Sequence, residues 1–233
     1  MLLLFDIDGT LLVNAAEAHR DAIYEALGVV HGVTEPDRRG MQVAGRTDGD
    51  IVRALLTHAG ISAQRIDERQ DDVRVAACAA YPRLCPEDLS AHVTPGMREL
   101  LQRLDAREDT MLALVTGNYE PIARMKLGRA GIGEFFPRGQ GGFGSDHEQR
   151  AELPAIARRR AADPEGDGRP WPRSRTILIG DTPRDIACAR ADGVRCVAIA
   201  TGPFVVGQLG EADAVARDAH ELGALLDGML DRR

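Results

Sequence analysis

Two hydrophobic rhythms run along this chain: short unbroken apolar runs, and longer stretches in which apolar residues return every three or four positions. The runs at 1–4, 111–115, 177–180 and 195–200 predict strands, with a short Gly-rich strand or strand end at 140–144 and an edge strand at 213–215. Strands buried on both faces need not alternate apolar with polar, which is the signature of a parallel sheet covered by helices. The helical rhythm fills the intervals. Ala18, Ala22, Ile23, Ala26 and Leu27 share one face, with Gly28 as the expected stop. Thr47 and Asp50 have capping-box spacing ahead of Ile51, Val52, Leu55 and Leu56, and Gly60 ends that helix. A third helix is expected over 63–81, closed by Pro82 and Pro86. Further helices are expected after Thr94 as N-cap with Pro95 in first position, after Pro121, over 148–162 and 186–191, and around Leu222, Leu225 and Leu226. The polar, Pro- and Gly-rich stretch 163–175 reads as a surface loop in which Trp171 packs down on the core.

Strands alternating with helices predict an α/β fold, a Rossmann-like parallel sheet with helices on both faces. Between 13 and 91 the chain has no convincing strand. That interval reads as a small helical module inserted into an α/β core made of 1–12 and 92–233.

The 233 residues suffice for a substantial core, and 44% of them are hydrophobic. A net charge of −7 provides no basic footprint for nucleic acid. No apolar run approaches the ~20 residues that cross a bilayer, and the first strand starts at the N-terminus with no secretory leader ahead of it. A cytoplasmic protein is expected. Cys78, Cys85, Cys188 and Cys196 lack the close pairing of a zinc knuckle and read as free thiols. Among 29 basic residues Lys126 is the one lysine, so a catalytic lysine has few places to be.

Chemistry concentrates at strand ends. Asp6 and Asp8 follow the first apolar run two residues apart, so on extended chain both carboxylates face one side. Like charges so close raise one pKa or call for a cation. Gly9 then lets the chain turn away, and a plain Asp-Gly turn is the alternative for this pair taken alone. The pattern recurs at Gly180-Asp181-Thr182-Pro183-Arg184-Asp185. In a parallel sheet all C-terminal strand ends open on one edge, so Asp6, Asp8, Asp181 and Asp185 form an oxygen-rich site that suits a hard cation such as Mg²⁺. Thr182 and Asp185 also have capping-box spacing, and both roles are compatible.

Asp6-Ile7-Asp8-Gly9-Thr10, the Thr of Leu114-Val115-Thr116-Gly117-Asn118, and Gly180 to Asp185 stand in the order and at the spacings of the haloacid dehalogenase-like hydrolase superfamily, which almost the whole chain resembles. The branch it resembles is the phosphatases with a helical cap inserted after the first motif. The resemblance implies Asp6 as nucleophile, forming an aspartyl-phosphate, and Asp8 as general acid and then base. An acid two residues after the nucleophile separates such phosphatases from the dehalogenases. It further implies a Mg²⁺ ion on Asp6, the Asp8 carbonyl and Asp181, with Asp185 orienting from behind, and a phosphoryl grip by Thr116 with the amides of Gly117 and Asn118.

The third motif, usually a lysine, departs from the pattern. Arg150 is the candidate, with Lys126, Arg158 and Arg159 as competitors; the last two read as a solvated helix face. His147 reads as a surface or capping histidine. In the cap, Arg46 and Thr47 occupy the turn that family members lower onto substrate; Arg46 either binds an acidic leaving group or makes a surface ion pair. The expectation is a Mg²⁺-dependent phosphomonoester hydrolase for a small molecule of the phosphoglycolate or sugar phosphate kind. A phosphomutase resembling β-phosphoglucomutase is the alternative, and a non-catalytic phosphate-responsive binding protein a second. Neither nucleic acid nor membrane is expected as a partner, and oligomeric state is not legible.

Overall fold

A computed structural model describes residues 1–162 and 169–231. Six parallel strands form one sheet in the order β3-β2-β1-β4-β5-β6: β1 Leu2–Phe5, β2 Met111–Thr116, β3 Gly142–Phe143, β4 Thr176–Gly180, β5 Arg195–Ile199 and β6 Ala214–Ala216. β1 lies in the middle, with Phe5 level with Leu114 on one side and Ile179 on the other. The strand order reverses here, so the residues that follow β1, β2 and β4 meet at one crevice.

Alternation within each strand divides the core. Leu3, Phe5, Leu112, Leu114, Ile177 and Ile179 face one layer, which contains α4 Met97–Asp105, α5 Glu120–Arg129 and α8 Ala219–Leu230. Leu2, Leu4, Ala113, Val115 and Leu178 face the other, with α6 Leu153–Ala161 and α7 Pro183–Asp192. Trp171 is buried in that second layer, its indole N–H donating to the Arg175 carbonyl at 3.0 Å. Residues 163–168 of the expected loop lie outside the described residues.

Between β1 and β2 the chain forms α1 Glu17–His31, α2 Asp48–His58 and α3 Ala63–Leu84, with α1 packed along α3. Their apolar faces are continuous with the first core layer. None of these helices, nor any other among the described residues, is long and apolar enough to cross a membrane.

Several boundaries differ from expectation for identifiable reasons. α1 runs through Gly28 and stops where Gly32 turns left-handed at φ 73°, its N–H returning to the Gly28 and Leu27 carbonyls. α3 carries Pro82 in its last turn, and the Arg129 guanidinium takes up the carbonyls of Pro82 and Cys85 that the helix end leaves open. α4 is entered through Gly96 at φ 77°. Thr94, expected to cap it, instead donates its hydroxyl to the Thr10 carbonyl at 2.7 Å, fastening the re-entry of the core to the turn after Gly9. Thr94→Val should cost about 1–2 kcal/mol in urea unfolding, because it leaves that buried carbonyl unpaired. The helix expected over 148–162 splits into a single 3-10 turn at Arg150–Glu152 and then α6. Arg158 is no solvated residue: it is 6% exposed, gripping Asp192 with Nε and Nη2 at 2.7 and 2.8 Å. Arg159 is exposed as expected.

Candidate active site

β1 ends at Phe5, and the Asp6 N–H still bonds the Ile179 carbonyl of β4 at 2.9 Å. The strand pairing therefore brings Asp6 level with the end of β4, from which Asp181 follows directly. Carboxylate oxygens of Asp6, Asp181 and Asp185 lie within 4.8 Å of one another, all buried. Gly9 makes the approach possible: it sits at φ 92°, and a Cβ there would stand 2.2 Å from Asp181 Oδ2.

Among the described residues, one guanidinium faces this group. Arg150 Nη2 donates to Asp6 Oδ1 at 2.9 Å and also contacts Asp185 Oδ1. Asp185 uses its other oxygen for the reciprocal capping box with Thr182 at the start of α7, so the structural and site roles coexist in one carboxylate. Burial pushes Asp6 up to about 7 against the opposing charge of Arg150. Burial, with Asp6 and Asp185 beside it, pushes Asp181 up to about 8. Asp181 Oδ1 accepts from the Thr10 hydroxyl at 3.2 Å, while Oδ2 is buried without a partner.

That orphaned oxygen tests the implied metal. A buried carboxylate oxygen with no donor is costly, and a hard divalent cation prefers an all-oxygen set of this kind. The donor chemistry fits Mg²⁺. Of the four acids expected here, three converge through their carboxylates; the carboxylate of Asp8 goes elsewhere.

Both Asp8 oxygens accept from Lys126 Nζ at 2.7 Å, and Oδ2 also from Asn118 Nδ2 at 2.9 Å. Burial would raise this carboxyl, but the Lys126 charge and the hydrogen bonds of Lys126 and Asn118 hold it below the usual range. Lys126, named above only as a competitor to Arg150, thus serves the second acid of the pair, and Arg150 serves the first. A signal was present in the sequence: Ile122, Lys126 and Ala130 are four apart, on the inward stripe of α5.

Thr116 ends β2, buried, and its hydroxyl accepts from the Asn118 N–H at 3.3 Å. The segment leading into α2 sits directly on this turn: the Asp48 N–H bonds the Gly117 carbonyl at 2.8 Å, and a Cβ on Gly117 would lie 2.1 Å from the Arg46 carbonyl. Gly117→Ala should therefore push the start of α2 off the turn, lowering kcat/KM about tenfold or more while the circular dichroism of the helices persists.

Arg46 is at this seam, bidentate on Asp50 at 2.5 and 2.6 Å. The ion-pair alternative is the one this structure contains, and it takes the Asp50 carboxylate that a full capping box would have used. Thr47 keeps its half of the box, accepting from the Asp50 N–H at 3.2 Å, and its hydroxyl donates to the Glu148 carbonyl at 2.5 Å. Thr47 is thereby committed to the seam. His147 is a local acceptor for the Gln149 N–H at 3.0 Å. Between the inserted helices and the sheet lies a cavity of about 750 Å³, with Asp6, Asp8, Thr116, Arg150 and Asp181 in its floor and Ile23, Tyr24 and Arg46 in the opposite wall.

A parallel sheet of this order, with three acids and an arginine at its switch point and helices inserted after the first strand, defines an α/β protein with its site at the carboxyl ends of the strands. The haloacid dehalogenase-like hydrolase description matches residues 3–190, and the chain belongs to that family, as an enzyme of its phosphatase branch. A phosphoglycolate phosphatase from Chromobacterium violaceum is 28% identical over 232 residues, covering 95% of this chain and 94% of that protein. Among solved structures, a candidate beta-phosphoglucomutase from Bacteroides vulgatus superposes with a TM-score of 0.69 at 19% identity, over 99% of this chain and 90% of that one. CbbY from Rhodobacter sphaeroides, solved with phosphate, gives 0.67 at 22%, over 97% and 98%. At these identities the two structures speak for the fold.

Proposed function

We propose that this chain is a Mg²⁺-dependent phosphomonoester hydrolase for a small phosphorylated metabolite, working through an aspartyl-phosphate on Asp6. The observation that carries the reading is the juxtaposition of Asp6 with Arg150 and with the unpartnered oxygen of Asp181. An Asp6 oxygen attacks phosphorus while the bond to the leaving oxygen breaks, and Asp8, held ionised by Lys126 in the free enzyme, enters this step with a proton taken up with the substrate and passes it to that oxygen. In the second step the Asp8 carboxylate takes a proton from water, whose oxygen attacks phosphorus; inorganic phosphate leaves and Asp6 is restored. Arg150 keeps Asp6 oriented, and Thr116 with the Gly117–Asn118 turn lines the phosphoryl end of the cavity. Mg²⁺, held by Asp6, Asp181 and the Asp8 carbonyl, would offset the carboxylate charge and stabilise the transferring phosphoryl group. Asp185 acts from behind, through Arg150.

The test is phosphate release from a panel of phosphomonoesters, phosphoglycolate and sugar phosphates included, with Mg²⁺ and with chelator. Metal-dependent release is the expected result. An isomerised phosphosugar without free phosphate would instead mark a mutase, and no turnover across a broad panel would mark a binding protein.

A further inference from the structure

Lys126 occupies an inward position of α5 where helical periodicity calls for an apolar side chain, and its side chain is 0% exposed. A buried ammonium is tolerated only when its protons are accepted. Here they are: besides Asp8, Nζ reaches Asn118 Oδ1 at 3.0 Å and His19 Nδ1 at 3.2 Å. An ammonium has donors and no acceptor, so His19 Nδ1 facing it is the ring's acceptor nitrogen and the proton sits on Nε2. Nε2 lies 2.9 Å from Asp48 Oδ2, which also accepts the Tyr119 N–H at 2.7 Å. The polarity of the chain follows, with Lys126 donating to Asp8 on one side and to His19 on the other, and His19 donating to Asp48. His19 and Asp48 belong to the cap helices α1 and α2, while Lys126, Asn118 and Asp8 belong to the core.

On the reading of Asp8 as the acid of a phosphatase, we propose that Lys126 is a positioning residue: braced from the cap by His19 and Asp48, it holds the Asp8 carboxylate toward the leaving oxygen. The geometry supports orientation. Lys126 Nζ faces both carboxylate oxygens, sharing a proton between them, and Asn118 Nδ2 donates to one of them, which fixes the plane of the carboxylate. The Asp8 side chain is 30% exposed and lines the cavity, whereas Lys126 stands behind it, shut off from solvent. Because half of the chain is in the cap, seating the cap and orienting the acid become one event.

Protonation of the leaving group is the step such a device serves, and esters differ in their need for it. An alkoxide must be protonated as it leaves, while 4-nitrophenolate departs without a proton. Purified Lys126→Met enzyme with Mg²⁺ should lose on the order of 100-fold in kcat/KM on an alkyl phosphate and less than about threefold on 4-nitrophenyl phosphate. Should that variant fail to fold, His19→Gln breaks the brace one link further away and should give the same split at smaller amplitude. Equal losses on both esters, or no loss on either, would overturn the proposal in whichever variant is measured. A wild-type enzyme inert toward both esters would overturn the phosphatase reading itself, and this inference with it.

Discussion

Asp6→Asn is expected to remove turnover by a factor on the order of 10⁴ while leaving the fold intact. The carboxamide has almost the same shape, its oxygen can still accept from Arg150 Nη2, and the backbone bond to Ile179 is untouched. What it lacks is a nucleophilic carboxylate oxygen. The variant also removes one of the buried acids crowded against Asp181 and Asp185, so its metal-free melting temperature should not fall below that of wild type. Phosphate release and thermal melting on the same preparation check both halves. Full activity in Asp6→Asn would sink the aspartyl-phosphate mechanism, and a collapsed melt would show that Asp6 is needed for folding.

What was legible in the sequence was whatever depends on local pattern. Apolar runs ending in acid announced β1 with Asp6 and β4 with Asp181, and strand-helix alternation announced the parallel sheet, because burial on both faces dictates composition along a single strand. Boundaries set by backbone flips or by distant groups were not legible. Gly28 and Gly32 look alike in sequence, yet only Gly32 takes the left-handed conformation that ends α1. α3 runs past Pro82 to Leu84, and a guanidinium from α5 takes up the Pro82 carbonyl left open at the helix end, a contact spanning more than forty residues.

The site divides along the same line. Sequence order offered Arg150 as the third-motif cation, and the structure places its guanidinium on Asp6 and Asp185. The partner of Asp8 was harder to find, since linear spacing does not say which acid a buried lysine will meet. Charge balance would have pointed the way: two acids two residues apart, placed in a dry crevice, need two cations on different sides. Arg46 and Thr47 stand at the turn that packs on Gly117, where their side chains bond Asp50 and the Glu148 carbonyl, partners that linear spacing shows only for Asp50.

The metal-free protein should lose stability as pH rises, and Mg²⁺ should reverse the loss. Asp181 has its folded pKa raised to about 8 from an unfolded value of 3.8, and Asp6 to about 7. Between the unfolded and folded values the native state binds more protons than the unfolded chain, so stability is greatest below about pH 4 for these two groups and falls as pH climbs towards 8, with a slope of at most about 1.4 kcal/mol per pH unit for each proton. Thermal melting in chelator should show the midpoint dropping between about pH 5 and 8, where most carboxylates have already titrated. A cation on the Asp6–Asp181 oxygens favours the ionised forms and binds only the native state, so millimolar Mg²⁺ should raise the midpoint most at the alkaline end. Asp181→Asn removes the orphaned charge and should flatten both the pH slope and the Mg²⁺ response. A metal-free midpoint that rises from pH 5 to 8, or a Mg²⁺ shift that survives Asp181→Asn undiminished, would place the cation elsewhere and leave the buried oxygen of Asp181 without its partner.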